Sequence, residues 1–279
     1  MEVYPIIYTR NYYMDYAPNF YVCPSFFNEQ MTEKSRKYIL EALNYANMIH
    51  KKRRILVTGN GYTVLGVVTE LEEIMLEKWG ECVIEYCRDN KGRSIVAFIG
   101  IVFKNIKLPQ NYIPKNIDEV LYSVCERFII NRQLWYNKEE NHHIGDKFDI
   151  EIKAYVKKNI LVDKMEYGKL KIFYSTEECD NELFLRLIAQ CGSSEKKYSF
   201  CSDYYGIESI AKTRFKIITS RYFEKIMRYY GEKAEHHDYK GNKLSFGSHK
   251  KQKKTKKIIE IVVAITIIIM IIIWISRGD

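Results

Sequence analysis

The chain has 279 residues, 47% of them hydrophobic, with 44 Lys and Arg against 35 Asp and Glu and a formal charge of +9. That length and hydrophobic share exclude a disordered or fibrous protein and allow one large domain or two small ones. The basic excess is local: residues 234–257 carry eight lysines against Glu235 and Asp238, which leaves only +4 on the 233 residues before them and gives no reason to expect a nucleic-acid partner.

Seven cysteines stand at wide spacings with no CxxC, which fits free thiols in a reducing compartment rather than a disulfide framework. The opening MEVYPIIYTRNYYMDY has no basic stretch followed by an apolar run, so no signal peptide is expected.

Residues 1–27 are dense in Tyr and Phe, broken by Pro5, Pro18 and Pro24, and read as short strands and turns packed on the core. A base-stacking platform is the sharper alternative. From Asn28 to about Lys51, Ile39, Ala42, Leu43, Ala46 and Ile49 recur at helical spacing. The cations Lys51, Lys52, Arg53 and Arg54 then suit the negative end of the helix dipole, or could hold a phosphate.

ILVTGNGYTVLGVV (55–68) reads as a hairpin turned by Gly59-Asn60-Gly61, with a short helix from Glu70 to Trp79 after it. A βα phosphate loop is the alternative, but Val64 stands where a dinucleotide fingerprint needs glycine. Cys82–Arg88 and Ser94–Lys104 read as a second hairpin around Asp89–Arg93. SIVAFIGIVF is apolar on both faces and is expected to be a central strand, with Gly100 marking a bulge or close neighbour. A helix from Ile117 to about Trp135 follows, capped by Asn116, with Val120, Leu121, Val124, Cys125, Phe128 and Ile129 on its buried face.

The polar loop 137–146 is the expected boundary between an N-terminal α+β lobe, 1–140, and a smaller α/β lobe, 146–233. Beyond it strands (148–156, 169–175, 198–202, 215–219) alternate with helices (181–191, 207–213, and one capped by Ser220), predicting a partly parallel sheet. Residues 234–257 read as a basic flexible tether. The fold class is therefore α+β with a mixed sheet: antiparallel hairpins and helices, a small βα-alternating lobe, and one C-terminal transmembrane helix.

That helix is expected at 258–275, IIEIVVAITIIIMIIIWI, with eleven isoleucines and one charge, Glu260. At about 1.5 Å per residue, eighteen helical residues reach roughly 27 Å, near the hydrocarbon thickness of a thin bilayer. Lys250, Lys251, Lys253, Lys254, Lys256 and Lys257 precede it and mark the cytosolic side, with anionic lipid head groups as their partners. The expected protein is tail-anchored and single-pass, with its head in the cytosol.

No motif names a reaction or a cofactor, and none is expected. Glu139, Glu140, His142, His143 and Asp146 are residue types that bind zinc or manganese, but their spacing matches no HExxH, and a solvated loop is the plainer reading. Ser175, Thr176, Glu177, Ser202 and Asp203 lie at the carboxyl ends of strands in the α/β lobe, where such sheets bind ligands, and Glu178 stands with them.

These residues define the candidate crevice for a small-molecule or protein ligand. The leading expectation is a head that senses a ligand or partner and acts by associating with further copies of itself at the membrane. A membrane-tethered enzyme using the crevice is one alternative. The other is a membrane-permeabilising effector: the Gly92-Arg93 hairpin joined to a tethered α/β lobe resembles, in outline, membrane effectors of bacterial phage-defence systems, without a diagnostic motif.

Overall fold

A computed structural model describes residues 3–10, 12, 18–43, 52–104, 112–114, 117–131, 143–145, 154–156, 170–191, 197–206, 210–230 and 235–237. Met1–Asn242 form one compact unit and Lys243–Asp279 a second, which lies wholly outside the described residues. Among the described residues no helix is long and apolar enough to cross a membrane; residues 258–275 are not among them.

The head is α+β, built on a mixed ten-stranded sheet. Its strands are β1 (Val3–Thr9), β2 (Asn19–Pro24), β3 (Arg53–Thr58), β4 (Tyr62–Glu70), β5 (Val96–Lys104), β7 (His143–Gly145), β9 (Lys171–Tyr174), β10 (Ser199–Cys201), β11 (Ile217–Ser220) and β12 (Glu235–His237). They run in the order β12-β9-β11-β10-β3-β4-β5-β1-β2-β7, while β6 (Tyr112–Pro114) and β8 (Ala154–Val156) pair separately. From β3 to β2 every pairing is antiparallel; β12, β9, β11 and β10 are mutually parallel. The halves join where Ser199–Cys201 lie antiparallel to Ile55–Val57, so the two expected lobes share one sheet.

The apolar strands fill the middle of this sheet because both its faces are covered. Leu56, Leu65, Val67, Ile99 and Ile101 pack in one cluster with α2 (Leu71–Trp79), α3 (Ile117–Cys125) and α4 (Glu177–Cys191). The opposite face meets α1 (Glu29–Leu43), whose Ile39, Ala42 and Leu43 are buried. Complete burial of one Phe98- or Ile101-sized side chain stabilises by about 1.5–3 kcal/mol. Where β4 meets β5, Gly66 faces Gly100 in the register, and a Cβ at Gly100 would sit 2.5 Å from the Leu65 carbonyl oxygen. Gly100 thus marks a close neighbour, one of the two readings its position allowed.

The 55–68 hairpin and the helix after it form as expected, with the Gly59 N–H on the Tyr62 carbonyl at 2.8 Å. Three expectations are corrected. Gly80–Cys87 is a run of 3-10 helix, and only an Arg88–Ser94 bridge survives of the second hairpin. The burial pattern is not that of a strand: Val83 and Cys87 are buried while Glu85 between them is exposed, which a two-residue period does not allow. Arg53 and Arg54 do not end α1 but begin β3. The capping idea nevertheless survives in space, because buried Arg53 donates through Nη1 to the Ala42 carbonyl at 2.9 Å, near the negative end of α1. Finally, Glu235–His237, expected in the tether, form an edge strand parallel to β9.

Ser220 ends β11, and its hydroxyl accepts the Tyr222 N–H at 3.2 Å just before α5 (Phe223–Tyr230). The α3 stripe is buried as expected, the chain widening into a π-helical turn at Glu126–Ile130. Asn116 and residues 132–140 lie outside the described residues, as do the lysines of 250–257.

Candidate functional site

Parallel strands β9, β11 and β10 bring their carboxyl ends to one edge of the sheet, and antiparallel β3 brings its amino end to the same edge. Four of the five expected site residues are tied into the hydrogen bonding there. Ser175 follows β9; its N–H bonds the Ser220 carbonyl at 3.1 Å and its hydroxyl donates to Asp180 Oδ2 at 2.8 Å. Thr176 caps α4, its Oγ1 accepting the Cys179 N–H at 3.1 Å.

Ser202 is fully buried and pairs with β3: its N–H reaches the Arg54 carbonyl at 2.9 Å, and its Oγ accepts the Arg54 N–H at 2.7 Å. Asp203 takes a left-handed backbone, φ 46°, which a non-glycine residue adopts only where its surroundings hold it. The hold is visible: the Asp203 N–H donates to Thr219 Oγ1 at 2.8 Å, Arg221 Nε donates to Oδ1 at 2.9 Å, and Arg221 Nη2 pairs with Oδ2.

Glu177 and Glu178 correct the expectation that they end a strand. They open α4, which starts at 177 rather than 181, and are exposed where acidic side chains suit a helix amino terminus.

Sequence reading missed the residues that join these groups. Arg54 spans the edge: Nε donates to Asn181 Oδ1 at 2.6 Å, Nη1 donates to Asp118 Oδ1 at 3.0 Å, and the guanidinium lies 5.4 Å from the centre of the Phe184 ring. Asp180 sits between Ser175 and Thr219 with its Oδ1 buried and lacking a hydrogen bond of normal geometry. Burial raises the Asp180 carboxyl to about 6; the Thr219 and Ser175 hydroxyls and Arg54 pull it down, and the Asp203 charge pushes it up. The one available signal for Asp180 was its place a single residue before the expected helix start.

On the α1 side of the same edge, a shallow hollow is lined by Glu41, Arg53, Cys201 and Tyr204. Glu41 ties α1 to the β10–β11 crossover, accepting from the Tyr204 hydroxyl at 3.2 Å, the Thr213 hydroxyl and the Arg214 N–H at 3.2 Å.

Among the described residues no group of three or more His, Cys, Asp or Glu is placed to hold a metal ion. His143 lies on β7, and Glu139, Glu140, His142 and Asp146 fall outside the described residues. The seven cysteines are free thiols. Burial pushes the Cys23, Cys87 and Cys179 thiols up to about 12, so they stay protonated and act as small apolar side chains.

No protein-family model matches this chain, and no curated protein or solved structure matches it.

Proposed function

We propose that this is a single-pass membrane protein whose head senses a ligand or partner at the carboxyl edge and acts by associating with other heads at the bilayer. The observation that carries the reading is the apolar run 258–275 with six lysines directly before it. A helix of that length satisfies its own backbone in lipid, and Trp274 sits where an interfacial aromatic belongs. Each lysine near an anionic leaflet adds about 1 kcal/mol of surface attraction, so the run favours the cytosolic face.

The carboxyl edge supports sensing over catalysis. Ser175, Thr176, Ser202 and Asp203 are bonded to neighbouring protein groups, as suits a ligand read by exchanging existing bonds rather than by an exposed nucleophile.

Removal of residues 258–279 tests the reading. The full chain is expected to resist carbonate extraction from membranes and the truncated chain to be soluble. Identical fractionation of the two would overturn the membrane assignment. Protease added to intact cells is expected to spare the head, and cleavage of the head from outside would reverse the topology.

A further inference from the structure

We propose that Asp180 is a proton-operated latch that fastens the amino end of α4 to the carboxyl ends of β9 and β11. The latch regulates the crevice on which the sensing reading rests, and it takes its biological sense from that reading.

Two geometric facts and one electrostatic one carry it. Asp180 Oδ2 accepts the Ser175 hydroxyl at 2.8 Å, so one carboxyl joins the end of β9 to the first turn of α4. Its Oδ1 is buried and, although the Thr219 hydroxyl of β11 acts on the carboxyl, makes no hydrogen bond of normal geometry, which suits a carboxylic acid carrying its own proton better than a carboxylate. The charge of Asp203, whose backbone is held by Thr219, disfavours a second negative charge at Asp180.

The groups around Asp180 come from every strand end. Ser175 stands after β9, Thr219 on β11, Arg221 just past β11, Asp203 just past β10 and Arg54 on β3. Cys179 beside it and Cys201 on β10 have thiols raised by burial and stay neutral. Arg221 is committed to Asp203, and Arg54 to Asn181 and Asp118, so neither side chain closes on Oδ1. On α4 itself, Glu177 and Glu178 are exposed. The edge strand β12 places His236 and His237 in register with Ile172 and Phe173, so their part in any pH response must be separated from that of Asp180 by experiment.

The carboxyl is raised to about 6, inside the range where modest acidification changes its charge. Protonated, Asp180 is neutral and the seam at residues 175–180 is closed. Ionised, it is a half-buried charge with one oxygen poorly hydrogen-bonded beside Asp203, and the seam opens more often. A ligand that brings an N–H or O–H donor to Oδ1 would close it at neutral pH.

The test uses the full chain, in nanodiscs or in buffer according to its fractionation, with carbon-13 NMR of the Asp carboxyls and amide hydrogen exchange corrected for intrinsic pH effects. A carboxyl resonance absent from Asp180→Asn should titrate near pH 6. Exchange at 175–180 should rise about threefold or more between pH 5 and 7.5 in the native chain, because protection follows the free energy of local opening. The rise should vanish in Asp180→Asn and persist in a His236→Gln, His237→Gln double variant.

Titration below pH 4.5, or an equal rise in Asp180→Asn, would overturn the latch; loss of the rise in the histidine variant would assign it to β12 instead. Should Asp180→Asn fail to fold, the titration and exchange of the native chain with Ser175→Ala decide, since that change removes the donor and should raise exchange at 175–180 even at pH 5. Neither readout depends on residues 258–275, so the latch and the membrane assignment fail separately.

Discussion

The carboxylate of Asp89 accepts the N–H groups of Lys91 and Arg93 on Oδ1, each at 2.9 Å, and the guanidiniums of Arg93 and Arg10 on Oδ2 at 2.7 and 2.6 Å. Its side chain has no solvent exposure. Burial alone would raise this acid, but the donors of Arg93 and Lys91 and the Arg10 charge outweigh it and hold it at about 2. Its folded value is depressed, so its contribution is present above the unfolded value and lost as pH falls through about 2. Asp89→Ala is expected to cost about 3–4 kcal/mol in urea unfolding, since it leaves buried donors and the Arg10 charge uncompensated. A loss under 1 kcal/mol would mean that water replaces the carboxylate. The turn itself was legible, because Asp-Asn-Lys-Gly-Arg is turn chemistry. That Arg10 would reach it from 79 residues away was not, since no local pattern records such a contact. Arg54 was misplaced for the same reason: its partners Asp118 and Asn181 lie 64 and 127 residues off.

Strands with a clear apolar run, β4 and β5, were readable because burial on both faces demands continuous hydrophobicity. The failure at Gly80–Cys87 is instructive, because Val83, Ile84 and Tyr86 are good strand residues and only the exposure of Glu85 between buried Val83 and Cys87 breaks the strand period. Gly80, with φ 68°, ends α2, its N–H on the Leu76 carbonyl, and turns the chain into that segment. Two glycine substitutions separate packing from backbone conformation at this scale. Gly100→Val forces a Cβ against the Leu65 carbonyl and the Phe98 ring, and should destabilise the head by about 3 kcal/mol or more. Gly92→Ala meets open space and bears only the cost of φ 74°, about 1 kcal/mol. Thermal unfolding of both variants checks the contrast. Equal losses would mean that β4 and β5 can spread without cost.

Over the whole molecule, the expected lobes become halves of one sheet through pairing between Ser199 and Val57, a contact that a one-dimensional reading cannot supply. The parallel half was legible in its βα alternation; the hydrogen bonds that consume Ser202 and Asp203 were not. The same sheet changes the account of the connection to residues 258–275. Glu235–His237 belong to the edge beside β9, so any free linker starts at residue 238 and has twenty residues to 257. On the proposed reading of that stretch as a flexible tether, about 5–6 Å times the square root of length gives an average span of roughly 25 Å, too loose to transmit torque. Signalling on the proposed reading then runs through association, because heads held on one membrane gain effective concentration without new contacts. Replacing 238–248 with an equal Gly/Ser stretch, the lysines from 250 onward kept, should leave head-to-head crosslinking in membranes unchanged. Replacing Glu235–His237 with Gly-Ser-Gly should instead raise amide exchange at Lys171–Tyr174, because it weakens the pairing along the outer side of β9. Reduced crosslinking after the 238–248 replacement, with the head folded and topology intact, would show that the linker carries structure and that coupling is mechanical. Unchanged exchange at Lys171–Tyr174 in the other variant would show that β12 contributes nothing to the edge.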